Sequence, residues 1–131
     1  MIGLDTNVLV RYIMQDNPEQ SSKANQLIEN LTKDKRAYFS HITLVEIIWV
    51  LESCYELDKD DVIKVIDGIL RSRELCTENS EVLWRAFRLF QQSNADFSDC
   101  LISVTGLKDG CKKTYTFDKK AAKLTGMELL Q

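Results

Sequence analysis

Apolar residues along this chain come in short blocks, and the spacing inside the blocks changes from one to the next. Ile2 to Leu4 is a brief apolar run that stops on Asp5 and predicts a short buried strand. Beyond Asn7, Val8, Leu9, Tyr12 and Ile13 recur at helical spacing, predicting a first helix that ends near Asp16 and Asn17. Asn17-Pro18-Glu19 then reads as a helix start: a capping Asn, Pro at the first helical position and an acid in the first turn. The apolar marks that follow (Ala24, Leu27, Ile28, Leu31) are sparse, which predicts an amphipathic surface helix. Lys33 to Arg36 is a charged turn, Ala37 to Phe39 a strand, and Ser40 closes it. Ile42 to Leu51 is apolar on nearly every side, the pattern of a fully buried helix, with Glu46 its only charge.

The second half continues the alternation. Leu57 to Asp61 supplies a turn and a cap, and Val62, Ile63, Val65, Ile66, Ile69 and Leu70 predict a helix to about Arg73. Leu75 to Thr77 is a strand or an extended connector. Ser80 opens a helix marked by Val82, Leu83, Ala86, Phe87 and Phe90. Leu101 onward predicts another buried helix, with Gly106 or Gly110 as its stop. Lys113 to Phe117 is rich in β-formers, Asp118 follows, Lys119 to Leu124 reads as a short helix, and Met127 to Leu130 as a last edge strand.

Strands alternating with helices predict an α/β fold with a central parallel sheet of about four to five short strands flanked by helices. At 131 residues, one domain is expected. A content of 44% hydrophobic and 28% charged residues, with one Pro and five Gly, excludes disordered and fibrous classes. No apolar run reaches the roughly 18 residues of a membrane span, and no basic segment followed by a long apolar core opens the chain. The four Cys show no CxxC pair and no spacing to the single His41, so they read as buried or incidental thiols of a cytosolic protein.

Charge changes the picture in one place. The whole chain carries −3, but residues 108–131 hold six Lys against Asp109, Asp118 and Glu128, a net +3, leaving −6 for residues 1–107. Lys119, Lys120 and Lys123 are therefore candidates for a phosphate-facing patch on an acidic protein; a solvated helix face is the plainer alternative.

The candidate chemistry is carboxylate chemistry. Asp5 lies where a strand gives way to a helix, the edge at which open α/β sheets bind ligands, although Asp5 or Thr6 could simply cap that helix. Glu46 stands inside an apolar helix, where a lone ionised carboxylate costs several kcal/mol unless it is paired, hydrogen-bonded or metal-bound. An ion pair with Arg11, or emergence at a solvent edge, would also explain it. Asp96 and Asp99 share a face at a helix start; one can cap, the second is harder to dismiss. Asp118 repeats the strand, carboxylate, helix order of Asp5. Four carboxylates brought together need a cation, and oxygen ligands with little His or Cys favour Mg²⁺ or Mn²⁺ over Zn²⁺. One metal site would account for all of them and leave Thr6 as the cap.

With those residues in view, the chain resembles the PIN-domain family. The resemblance is carried by Leu4-Asp5-Thr6-Asn7, by Glu46 in Thr43-Leu44-Val45-Glu46, by Asp99 in Ala95-Asp96-Phe97-Ser98-Asp99-Cys100-Leu101-Ile102 and by Asp118 in Thr116-Phe117-Asp118-Lys119-Lys120. It runs from residue 2 to about 130 and is nearest to the small single-domain toxins of bacterial VapBC toxin–antitoxin pairs. The resemblance implies a Mg²⁺- or Mn²⁺-dependent endoribonuclease, often a homodimer, restrained by a small antitoxin protein. Position by position it implies Asp5, Glu46 and Asp99 as core acids, Asp118 as a more variable fourth and Asp96 as a ligand or a cap. Asn7 and Thr116, with Thr6, fall on polar positions that orient ligands, and Arg11 joins the lysines as a candidate RNA contact. Cys100 stands where Ala is common, a mild departure. Two rivals remain: a haloacid-dehalogenase-like phosphatase, which needs an Asp where Asn7 stands, and a catalytically inactive PIN scaffold used for binding.

Overall fold

Three short segments, Ile2–Gly3 (β1), Ala37–Tyr38 (β2) and Leu75–Cys76 (β3), pair in parallel in the computed structural model, which describes residues 1–131. The register aligns Ile2 with Ala37 and Leu75, and Gly3 with Tyr38 and Cys76. Leu4 N–H donates to the Tyr38 carbonyl at 2.8 Å and Phe39 N–H to that of Cys76 at 2.9 Å, so pairing outlasts the formal strands by a residue. Parallel neighbours need long crossovers. Thr6–Met14 (α1) and Pro18–Glu29 (α2) make the first, and His41–Ser53 (α3) and Lys59–Arg71 (α4) the second.

These elements form the first of two compact units, Met1–Glu78; the second is Asn79–Gln131. The core of the first unit is Leu9, Leu44, Ile47, Leu51, Val62 and Ile66, all 2% exposed or less. Side-chain caps start its helices where the sequence predicts at two points, Asn17 accepting from Gln20 N–H at 3.1 Å and Asp58 from Asp61 N–H at 2.9 Å, and Ser40, read only as the close of a strand, also caps, accepting from Thr43 N–H at 3.1 Å. Each satisfies an N–H that the helix itself leaves without a partner.

Two expectations fail here. β1 is not buried: Ile2 is 43% exposed, on one of the sheet's two edges. Nor is α3 buried all round. Ile42 is 72% and Trp49 61% exposed, and Glu46 stands on the same open face.

In the second unit Ser80–Gln92 (α5), capped by Asn79, packs on Phe97–Lys108 (α6). Leu83, Ala86, Phe87, Phe90, Phe97 and Cys100 form the core, with the Phe90 and Phe97 rings edge to face at 5.8 Å. α6 runs through Gly106, where a Cβ would come within 2.7 Å of Thr114 Oγ1; that close approach requires glycine. Thr114–Thr116 (β4) then pairs in parallel with Met127–Leu129 (β5) across the short 3₁₀ turn Ala121–Lys123. The strands thus number five, as expected, and all pairs are parallel, but they pair as a group of three and a group of two. All four cysteines are free thiols; Cys100 is buried, whereas Cys54 and Cys111 are exposed. No helix is long and apolar enough to cross a membrane.

Candidate active site

In the first unit the chain leaves β1 through Leu4, takes an extended conformation at Asp5 (φ −84°, ψ 163°) and enters α1 at Thr6. Asp5 is therefore the N-cap residue, and its Oδ1 accepts from Thr6 N–H at 2.7 Å. The sequence expectation that Thr6 is the cap is corrected. Thr6 is already helical and only 7% exposed, and its hydroxyl points across to α3, donating to Glu46 Oε1 at 2.8 Å.

Glu46 is thus solvent-exposed and hydrogen-bonded rather than a buried charge. The desolvation argument for it falls, because the apolar run around it has an outer face. Its placement still matters. Asp5, Thr6, Asn7, Glu46 and Trp49 line one open cavity of about 460 Å³. Trp49 follows Glu46 by three residues and so shares its side of α3, a spacing from which its place in the cavity could have been read. A larger cavity of about 530 Å³, walled by Tyr12, Ile28, Lys64 and Leu75 among others, holds none of the candidate acids.

Arg11 does not pair with Glu46 and is not an outward-facing cation. Its Nε donates to Gln20 Oε1 at 2.7 Å, one terminal nitrogen donates to Tyr55 Oη at 3.1 Å, and Asp16 lies 3.6 Å away. Tyr55 Oη in turn donates to Asp16 at 2.6 Å. That hydrogen bond, with burial adding to it, raises the Tyr55 phenol above its ordinary 10.0, against the opposing pull of Arg11. The guanidinium ties α1 to its neighbours. The only histidine, His41, lies at the start of α3, where its backbone N–H donates to Glu78 at 2.7 Å; it does not line the acidic cavity.

In the second unit Asp96 occupies the N-cap position of α6, yet its side chain makes no capping hydrogen bond. The alternative that Asp96 is there as a cap loses its physical basis. Asp99, one turn on, is half-buried. Burial first, and then the negative charges of Asp118 and Asp96, push its carboxyl above the ordinary 3.8. Asp118 does cap: Oδ1 accepts from Lys120 N–H at 2.8 Å and Ala121 N–H at 3.2 Å. Thr116 Oγ1 accepts from Asp118 N–H at 3.0 Å, fixing the exit from β4. Lys119, Lys120 and Lys123 are all exposed.

No group of three or more His, Cys, Asp or Glu side chains is drawn together as a ready metal cage. The donor chemistry nonetheless fits a hard divalent cation. Every candidate is a carboxylate, Asp96 is not committed to a cap, and the acids around Asp99 repel one another in a way that a cation relieves.

A family model described as PIN domain matches residues 2–127. The chain is also 27% identical over 122 residues to a VapC ribonuclease of Aquifex aeolicus (strain VF5), an alignment that covers 92% of this chain and 90% of that protein.

Proposed function

Because the chain belongs to the PIN domain family, we propose that it is a divalent-metal-dependent endoribonuclease, the toxin of a toxin–antitoxin pair. The observation that carries this reading is the tie between Asp5 and Glu46: a carboxylate at the N-cap of α1 and one on α3 line the same cavity, and Thr6 hydrogen-bonds both, through its N–H to the first and its hydroxyl to the second. Similarity to a relative named VapC ribonuclease supports the choice of RNA as substrate.

Asp5 and Glu46 in the first unit, and Asp96, Asp99 and Asp118 in the second, are the residues that would hold Mg²⁺ or Mn²⁺. Such an ion, when present, neutralises charge at the phosphate and makes a water a competent nucleophile near neutral pH. The chain's own residues provide orientation. Thr6 N–H, by donating to Asp5 Oδ1, holds that carboxylate at the head of α1. The Thr6 hydroxyl fixes the Glu46 rotamer, and the Thr116–Asp118 turn fixes Asp118. Asp5, Glu46 and Asp118 each accept these bonds through one oxygen and keep the other available. Asn7 adds a neutral polar group to the same cavity. Lys119, Lys120 and Lys123 supply positive charge for the RNA backbone. The reading carries with it a small antitoxin protein, a homodimer and a cytoplasmic setting.

The test is cleavage of a mixed RNA pool by purified protein with Mg²⁺ or Mn²⁺, beside Asp5→Asn and Asp99→Asn. The expected result is internal cleavage that both substitutions, and a chelator, abolish. Equal cleavage by all three proteins would overturn the assignment. Phosphate release from small monoesters would point to a phosphatase instead, and an inert but RNA-binding wild type to a scaffold.

A further inference from the structure

A cavity of about 280 Å³ opens in the second unit, and its walls come from three segments of the chain. Spacings of three and four along α5 bring Arg85, Arg88 and Leu89 to one side of that helix. Val104 and Leu107 belong to α6, and Thr125 to the chain that leaves the 3₁₀ turn. The cavity shares no residue with that of Asp5 and Glu46, and Asp96, Asp99 and Asp118 do not line it. Its α6 wall is locked. The fully buried Ser103 donates its hydroxyl to the Thr125 carbonyl at 2.6 Å. At the next residue, Gly126 (φ 87°), a Cβ would come within 2.8 Å of the Leu107 side chain, so loop and helix are in direct contact.

The α5 wall carries positive charge that the protein itself does not use. Arg11, Arg36 and Arg71 each donate to an oxygen elsewhere in the chain. Arg85 and Arg88 are exposed and join no salt bridge, and no Asp or Glu lines the cavity. Two uncompensated guanidiniums about one helical turn apart match a ligand with two negative charges and several oxygens. A phosphomonoester has both, about −1.5 to −2 at pH 7 and three terminal oxygens, and guanidinium forks bind such oxygens in pairs. A phosphodiester or a carboxylate brings a single charge. The volume lies near the lower end of small-molecule sites, roughly 300 Å³, so a bare phosphate would leave the walls of Leu89, Val104 and Leu107 without a partner. The ligand therefore has an apolar body beside its phosphate, and for a protein that handles RNA the molecule of that kind is a nucleotide.

We propose that this cavity binds a nucleoside phosphomonoester, with Arg85 and Arg88 on the phosphate and the nucleoside against Leu89, Val104 and Leu107. Such a group occurs on a free mononucleotide and at a phosphorylated end of an RNA strand. Hydrolysis of a phosphodiester bond by water leaves one phosphomonoester end at every cut, so the site takes RNA that has already been cut. The choice of a nucleotide rests on the ribonuclease reading; the requirement for a phosphomonoester rests on the two arginines alone.

The experiment is calorimetric titration of the intact chain, in chelator so that no metal at the acids competes for phosphate. Adenosine 5′-monophosphate is compared with adenosine and with inorganic phosphate, and a short RNA phosphorylated at its 5′ or 3′ end with the same RNA bearing hydroxyl ends. The phosphorylated member of a pair is expected to bind at least about tenfold more tightly, and that preference disappears in the double variant Arg85→Gln/Arg88→Gln. Arg73→Gln, which removes an exposed arginine outside the cavity, leaves it unchanged and so separates a site from general charge. A preference in the mononucleotide pair alone assigns the cavity to free nucleotide, and one in the RNA pair alone to a strand end. No preference in either pair overturns the proposal, as does a preference that survives the double substitution or inorganic phosphate binding as tightly as the nucleotide. The two readings fail separately. Phosphate-dependent binding without cleavage under Mg²⁺ or Mn²⁺ removes the nuclease and keeps the site. Cleavage without any phosphate preference does the reverse.

Discussion

The Thr6 hydroxyl donates to Glu46 at 2.8 Å from a side chain that is only 7% exposed, so a carboxylate on the open face of α3 is held by a nearly buried residue of α1. In the proposed reading, where Glu46 would be a metal ligand, such a bond would orient the carboxylate while leaving it accessible.

Thr6→Val removes the donor at almost constant volume. Activity is expected to fall about 10- to 100-fold, as for other lost ligand-orienting hydrogen bonds, while stability changes by only about 1 kcal/mol. Thr6→Ser restores most of the activity. RNA cleavage beside thermal unfolding separates the two effects, and an unchanged cleavage rate in Thr6→Val would make the bond merely structural.

The capping role of Asp118 and its proposed metal-binding charge can be parted by substitution. Asn keeps the Oδ1 acceptor that holds Lys120 and Ala121 N–H but loses the charge. Ala loses both and costs a further ~1 kcal/mol of stability. If the charge serves catalysis, Asp118→Asn is as inactive as Asp118→Ala yet melts with the wild type.

Asp99 carries a stability penalty in the metal-free protein. Its carboxyl is raised above the ordinary 3.8, by burial and then by Asp118 and Asp96, so the folded state binds its proton more tightly than the unfolded chain. The corresponding stability is fully present below the ordinary value and is lost as pH rises through the raised one. In chelator, Asp99→Asn is expected to melt about 1–3 °C above wild type at pH 7, and the difference to vanish near pH 3. Unfolding curves at both pH values check it. Added Mn²⁺ raises the wild-type Tm and not that of the variant.

Arg11 and the tail lysines should separate by salt dependence. Arg11→Gln breaks the contacts to Tyr55 and Asp16 and is expected to lower stability by about 1–2 kcal/mol without altering the salt slope of RNA binding. Replacing Lys119, Lys120 and Lys123 together by Ala leaves stability within about 0.5 kcal/mol and reduces the slope by about 2, near 0.7 per single-strand phosphate contact.

Much of this was legible in the chain. The caps at Asn17 and Asp58, the five short strands, the helix between each pair and the strand–Asp–helix order at Asp5 and Asp118 all rest on local chemistry: side-chain oxygens that reach a neighbouring N–H, and apolar spacing that only one backbone period can satisfy. Residue type alone also marked the acids as a set suited to a hard cation. What the sequence could not supply was the environment of single side chains. Ile42 and Trp49 sit in a run that reads as buried, and only the packing of α3 shows that the run has an outer face. Thr6 and Glu46 are forty positions apart in the chain, and Asp96 looks like a cap until its side chain is seen not to cap. Arg11 is a free cation on paper and a bracket among Gln20, Tyr55 and Asp16 in space. Local patterns are set by interactions within a turn or two of helix. Exposure, and the choice of hydrogen-bond partner, are set by which distant elements meet, and those only tertiary packing decides.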